Sequence, residues 1–175
     1  KMTKYFFELA NANNIPTHYV TADLDEVSMV VKEAVTFGKG LEVICRYRAV
    51  GSFFRRYNDY CTEGQALDSF VEITIKDDEK GDPVISEDAL AMLGILSHEE
   101  YNTLKELTKT ICWMVKEELA KKELELYDIK LEFGRDKATN EIILIDEISG
   151  GNMRVYQAGQ YVAPLDLEKL FLSNL

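Results

Sequence analysis

At 175 residues, with 46% hydrophobic and 29% charged side chains, the chain is long enough to bury a real core and has the composition of a water-soluble globular protein. Its formal net charge of −11 argues against a nucleic-acid or anionic-membrane surface, since both need basic patches, and no apolar run approaches a membrane span. A small anionic substrate is still compatible, because it needs only a local basic pocket. Cys45, Cys61 and Cys112 are odd in number and lack metal-ligand spacing, so reduced thiols in the cytoplasm are expected. The opening Lys1-Met2 stands inside a helix-like run, so further sequence is expected upstream.

Residues 2–12 predict a helix, with Tyr5, Phe6, Leu9 and Ala12 near helical spacing, ended by Asn13-Asn14-Ile15-Pro16. Residues 17–22, 28–35 and 41–47 read as strands, the last two separated by Phe37-Gly38-Lys39-Gly40, the expected lobe boundary. A Gly51-Ser52 turn follows. Residues 70–76 alternate as a strand and run into the polar turn of residues 77–83. Ser86 caps a short helix, and Ser97 with Glu100 forms a capping box for a helix to about residue 122. Its expected buried stripe is Leu104, Leu107, Ile111, Met114 or Val115, and Leu119. Residues 127–133 and 142–148 read as two strands of a hairpin. His18 and His98 read as structural, and Trp113 as packing.

Four segments carry candidate chemistry. On the first hairpin strand Asp128, Lys130 and Glu132 share one face, with Tyr127, Ile129, Leu131 and Phe133 on the other. That pattern also fits an ordinary solvated strand. The second strand is apolar at residues 142–145 and ends in Asp146-Glu147, and carboxylates ending a buried strand call for a partner or a metal. Glu132 and Asp146 together would suit Mg²⁺, which takes one or two carboxylates plus phosphate oxygens. The segment RYRAVGSFFRR, residues 46–56, gathers Arg46, Arg48, Arg55 and Arg56 around a Gly-Ser pair, a pattern for a phosphomonoester or for a basic surface strand. The segments KDDEKGDP (76–83) and SGGNMR (149–154) are weak alone.

Taken together, LEVICRYRAVGSFFRRY, VEITIKDDEKGDP, YDIKLEFG and LIDEIS with Arg154 beyond it resemble, in that order, the motifs of the phosphoribosylaminoimidazole-succinocarboxamide synthase (SAICAR synthetase) family. NNIPTHYV resembles the segment closing an N-terminal-lobe helix in that family. The resemblance implies an α+β, two-lobed, kinase-like fold with antiparallel sheets and flanking helices. Residues 1–37 would be the remainder of an N-terminal ATP-binding lobe, itself incomplete, and residues 38–175 a C-terminal substrate and Mg–ATP lobe. It implies an ATP-dependent ligase of purine biosynthesis. ATP activates the carboxylate of an aminoimidazole ribonucleotide, the amine of L-aspartate attacks, and ADP and phosphate leave.

Carried over by position, the resemblance makes Lys130, Glu132 and Asp146 catalytic, with Glu132 and Asp146 on Mg²⁺. Lys32, Glu33 and Lys76 join those two carboxylates in holding ATP. Arg46, Gly51, Ser52, Lys76, Asp82, Lys130 and Arg154 hold the ribonucleotide. The implied partners are small molecules, with no nucleic acid or membrane, and a homo-oligomer is left open. The chain departs from the family pattern at Tyr47, where Asn is usual, and at Gly150-Gly151-Asn152, where Pro-Asp follows the serine. The family's N-terminal Gly-Lys-x-Lys loop does not occur in it. Those departures motivate two other readings: a non-catalytic or substrate-altered nucleotide-binding relative on the same scaffold, and a small-molecule kinase.

Overall fold

The computed structural model describes residues 1–173. In chain order its elements are α1 (Met2–Ala12), β1 (Tyr19–Asp23), β2 (Ser28–Val31), β3 (Ala34–Thr36), β4 (Leu41–Arg48), α2 (Gly51–Tyr57), β5 (Ala66–Ile75), α3 (Glu87–Met92), α4 (His98–Ala120), β6 (Glu125–Asp136), β7 (Ile142–Ile145), β8 (Met153–Gln157), β9 (Gln160–Val162) and α5 (Pro164–Leu172).

The sheet is organised by β6, whose length lets it pair with four strands. On one edge β4 meets its first half and β3 its second. On the other edge β8 meets the first half and β7 the second. β5 extends the sheet beyond β4, and β9 extends it beyond β8. β1 and β2 form a separate two-stranded sheet.

The two-residue period of these strands separates core from site. Val43 and Cys45 of β4, Val71 and Ile73 of β5, Ile129, Leu131 and Phe133 of β6, and Val155 of β8 are buried on one face. α4 lies against that face through Leu104, Thr108, Ile111, Cys112, Val115 and Leu119. Ser97 and Glu100 make both bonds of the expected capping box. α1 joins the same core, its Phe6 stacked on Phe171 of α5 and its Phe7 on Tyr19. The other face carries Arg46, Glu72, Asp128, Lys130 and Arg154 in neighbouring rows.

Several sequence expectations need correcting. Tyr127 does not join the core face. The ladder between β6 and β8 slips between Leu126 and Asp128, so Leu126 takes the buried position and Tyr127 stacks on Tyr156. The strand expected over residues 142–148 stops at Ile145, because Asp146 enters the left-handed region at φ 69°. The strand expected over residues 28–35 divides at Lys32-Glu33, where the chain leaves the small sheet for the large one. Phe37–Gly40 therefore joins β3 and β4, two strands of the same sheet. Gly51-Ser52 is the first turn of a short helix. Trp113 is 51% exposed on the outer face of α4, beneath the Lys116 ammonium. Leu107 and Met114 only flank the α4 stripe, and Thr108 and Cys112 complete it.

The glycine that ends YDIKLEFG has a steric reason. A Cβ on Gly134 would meet the Val35 carbonyl oxygen of β3 at 2.8 Å. Gly134→Ala is expected to destabilise the protein by about 1–3 kcal/mol through overpacking. The effect would appear as a lower denaturant midpoint at constant m-value. An unchanged midpoint would mean that β3 yields without cost.

Candidate active site

The polar face of the sheet is ordered by strand register. Arg46 of β4 stands opposite Asp128 of β6, and Asp128 opposite Arg154 of β8. The Arg46 guanidinium, 2% exposed, donates to Asp128 at 3.2 Å, to Glu72 at 3.1 Å and to the Ser52 hydroxyl oxygen at 2.8 Å. Arg154 donates to the same Asp128 oxygen at 2.9 Å, and Arg56 donates to Glu72 at 2.5 Å. Burial lifts the Asp128 carboxyl above its ordinary pKa, while Arg154 and Arg46 pull it back. Because Ser52 accepts from Arg46, its own proton remains available to donate to a ligand.

Two glycines make room for this arrangement. Gly51 sits at φ +58°, and a Cβ there would lie 1.9 Å from Arg154 Nη1. A Cβ on Gly150 would meet the Pro164 carbonyl at 2.8 Å. Asn152 ties the same turn down, accepting from Ser149 N–H and donating to the Lys130 and Glu147 carbonyls. The cavity between these groups has a volume of about 410 Å³. Arg46, Arg55, Lys130 and Arg154 line it against only two carboxylates, Asp82 and Asp128. An acidic chain thus holds a locally positive pocket with guanidinium and hydroxyl donors, the chemistry that binds a phosphomonoester.

The other end of the face is acidic. Glu132 lies four residues beyond Asp128 on β6, about 13 Å along the strand. It pairs with Ile145, the residue before Asp146. Lys76 makes an ion pair with Glu132, and that hydrogen bond holds its ammonium above the ordinary pKa. Partial burial, together with the Glu132 and Glu147 carboxylates, raises the pKa of Asp146. Lys130, midway between the two ends, lies 3.4 Å from Glu42.

The donor set fits Mg²⁺. Glu132 and Asp146 supply hard oxygens, and two carboxylates suffice when phosphate oxygens and water complete the shell. Among the described residues no cluster of three or more His, Cys, Asp or Glu forms a self-sufficient metal cage.

Of the residues expected from sequence, Arg46, Ser52, Asp82, Lys130 and Arg154 line the one cavity, with Gly51 packed beneath Arg154. Lys76, Glu132 and Asp146 stand together at the acidic end. Lys32 and Glu33 line a different cavity of about 470 Å³ with Asp136 and the following turn. There the Lys32 N–H bonds the His18 carbonyl, and the Glu33 carbonyl accepts from Lys137 N–H. Sequence reasoning placed Asp128 on the charged face without giving it a role and did not single out Glu72; these are the carboxylates that hold the arginines. The available signal was a charged residue alternating with apolar ones on each strand.

The sequence model of the SAICAR synthetase family matches residues 1–171. A phosphoribosylaminoimidazole-succinocarboxamide synthase of Clostridium tetani is 63% identical over 172 residues, covering 98% of this chain and 76% of the relative. The synthase of Finegoldia magna is 37% identical, covering 89% of this chain and 65% of its own length. This chain thus spans roughly two thirds to three quarters of these curated relatives. A solved SAICAR synthetase in complex with ADP superposes with a TM-score of 0.85 at 30% identity, covering 97% of this chain and 74% of that one. The enzyme of Pyrococcus horikoshii OT3 gives 0.84 at 30% identity, covering 97% and 76%. This chain belongs to the SAICAR synthetase family.

Proposed function

We propose that the chain is an ATP-dependent carbon–nitrogen ligase of purine biosynthesis. It joins L-aspartate to the carboxylate of 5-amino-4-carboxyimidazole ribonucleotide, giving the succinocarboxamide ribonucleotide, ADP and phosphate. The observation that carries this reading is the polarised sheet face, with a phosphate-type arginine pocket at one end and a Lys–carboxylate cluster at the other. The names of the relatives and the ADP complex of a 30%-identical neighbour support it.

We assign the roles by position. Ser52 and Arg154 hold the ribonucleotide phosphate, with Arg46 fixing both in place. The substrate then extends along β6 toward Lys130, whose ammonium meets the negative charge shared by the substrate carboxylate and the γ-phosphate. Lys76 and the Glu132–Asp146 pair hold the nucleotide phosphates, and Lys32 and Glu33 face the adenine through backbone groups. Bound Mg²⁺, held by Glu132 and Asp146, would neutralise charge on the ATP phosphates.

In the reaction the γ-phosphoryl group passes to a carboxylate oxygen and ADP leaves. The aspartate amine attacks the acyl carbon and loses a proton, the acyl C–O bond breaks, and phosphate leaves with that oxygen and its electron pair. The protein's contribution is alignment and electrostatics rather than a covalent step. The left-handed backbone of Asp146 is the kind of local strain that persists where a side chain must be aimed. No helix among the described residues is long and apolar enough to cross a membrane, and small-molecule substrates are the partners this site suits.

The direct test is turnover. ADP release is expected only when ATP, Mg²⁺, the carboxylated ribonucleotide and L-aspartate are all present, with phosphate appearing free in solution. Phosphate retained on the substrate would instead identify a kinase. Nucleotide binding without turnover would favour the non-catalytic relative.

Asp146→Asn is expected to abolish Mg²⁺-dependent ATP use while thermal unfolding stays within a few degrees of the parent. Retained activity would remove Asp146 from the metal site. Arg154→Gln is expected to raise the KM for the ribonucleotide by about ten- to a hundredfold through loss of a charge-assisted hydrogen bond. The KM for ATP should be little changed, and the reverse pattern would overturn the phosphate assignment. Arg46→Ala is the poorer probe. It takes one of two arginine partners from each of the buried Glu72 and Asp128, whose others are Arg56 and Arg154, and is expected to cost about 1–3 kcal/mol of stability, read by denaturant titration.

A further inference from the structure

One edge of β6 has a gap between its two partners. β7 pairs with it as far as Ile145 opposite Glu132, and β8 begins with Met153 opposite Ile129. Lys130 and Leu131 lie between those positions, and there residues 146–152 leave the sheet as a loop. The loop leaves and rejoins β6 at points about 10 Å apart along the strand. Asp146 of the acidic end is its first residue, and Arg154 of the arginine-lined cavity follows just after its last.

A single side chain closes the gap. The Asn152 amide nitrogen donates to the Lys130 carbonyl at 2.8 Å, as the N–H of a paired strand would, and to the Glu147 carbonyl at 2.7 Å. Its amide oxygen accepts from the Ser149 N–H at 2.7 Å. Asn152 lines the cavity, but both of its N–H donors are taken by backbone carbonyls, so it acts on the loop and not on a ligand.

The middle of the loop is held from the other side. Ile148 is fully buried in the core, and the Thr3 hydroxyl of α1 donates to its carbonyl at 3.2 Å. Gly150 packs against Pro164 of α5, whose carbonyl leaves no room for a Cβ. These contacts fix the loop against two helices, and Asn152 fixes it to the strand that carries Lys130 and Glu132.

We propose that Asn152 is a positioning residue that sets the spacing between the two ends of the site. It holds Asp146 and Arg154 in fixed places along β6, so that nucleotide and ribonucleotide are brought into register at Lys130. This inference rests on the ligase reading above. It gives a role to Gly150-Gly151-Asn152, the segment where the chain departs from the family pattern.

Alignment and binding separate kinetically. Each end of the site is built from its own side chains, so a loosened loop leaves each ligand's affinity nearly intact while fewer bound complexes are aligned for transfer. Asn152→Ala removes all three bonds, and water can reach the carbonyls it frees because these bonds lie near the surface. Asn152→Asp keeps the shape and the acceptor but sets a carboxylate oxygen against two carbonyl oxygens.

The test is steady-state kinetics of both variants with each of the three substrates varied in turn, together with isothermal titration of Mg–ADP and, separately, of the ribonucleotide. The kcat is expected to fall by about ten- to a hundredfold. The KM of each substrate and the Kd of each titrated ligand should stay within about twofold of the parent. Assays are run below the Tm of each variant, and Asn152→Ala decides alone if Asn152→Asp does not fold.

A kcat within about twofold of the parent in folded Asn152→Ala makes Asn152 merely structural and overturns the proposal. A rise confined to the KM and Kd of one ligand places Asn152 in that ligand's own subsite and also overturns it. Wild-type protein that shows no turnover with all substrates present overturns the ligase reading, and the positioning role with it. An active wild type with unaltered kcat in Asn152→Ala overturns the positioning role alone.

Discussion

A guanidinium with 2% of its surface exposed is tolerable only if its charge is met on several sides, and Arg46 is met by Asp128, Glu72 and Ser52. Those partners come from β6, β5 and α2, so one side chain joins three strands and the short helix. Such a network adds little net stability over an apolar core of the same shape, because desolvation offsets most of the attraction. What it contributes is position. Asp128, held by Arg46, in turn holds Arg154, and Arg154 occupies the space that Gly51 leaves. Arg56 draws part of the negative charge of Glu72, so the cluster carries one more positive than negative group. The pocket's potential therefore comes from an excess of cations and not from a single exposed arginine.

The same face changes sign along its length. Rows of side chains on a sheet are fixed about 7 Å apart by two residues of rise, so charge can be graded along one strand without any loop adjusting it. β6 carries Asp128, Lys130 and Glu132 on that face in three successive rows. The first is neutralised by arginines, the last is paired with Lys76 and adjoins Asp146, and Lys130 lies between. On the proposed reading, a phosphorylated substrate and a nucleotide arriving from opposite ends would meet at Lys130. The backbone geometry of one strand thus supplies much of the alignment that phosphoryl transfer requires.

Much of this was legible in the sequence because it depends on periodicity. Alternation placed Asp128, Lys130 and Glu132 on one face. Ser97 and Glu100 marked the start of the long helix, and the Gly-Ser pair among arginines marked the arginine-lined cavity. Features that depend on register were not legible. The slip that turns Tyr127 out of the core involves one residue whose local sequence is ordinary strand. The break at Lys32-Glu33 lies in a β-branched run and comes from a change of sheet rather than from a turn residue. Asp128 fits an ordinary solvated strand equally well, and Glu72 has no signal of its own, until the arginine bonded to both is known.

The four-way pairing of β6 also shapes how the chain can fold. Arg46 and Asp128 are 82 residues apart, and β3 and β4 both wait for partners beyond residue 124. Loops of that length close slowly, and sheets rich in distant pairings fold late. During synthesis only the β1–β2 and β4–β5 pairs and the local helices find native partners before β6 leaves the ribosome. Until then the apolar face of the β4–β5 pair, with Val43, Cys45, Val71 and Ile73, is uncovered by the α4–β6 half of the core. The strand that sets out the chemistry is also the one whose arrival ends the nascent chain's period of greatest exposure to aggregation.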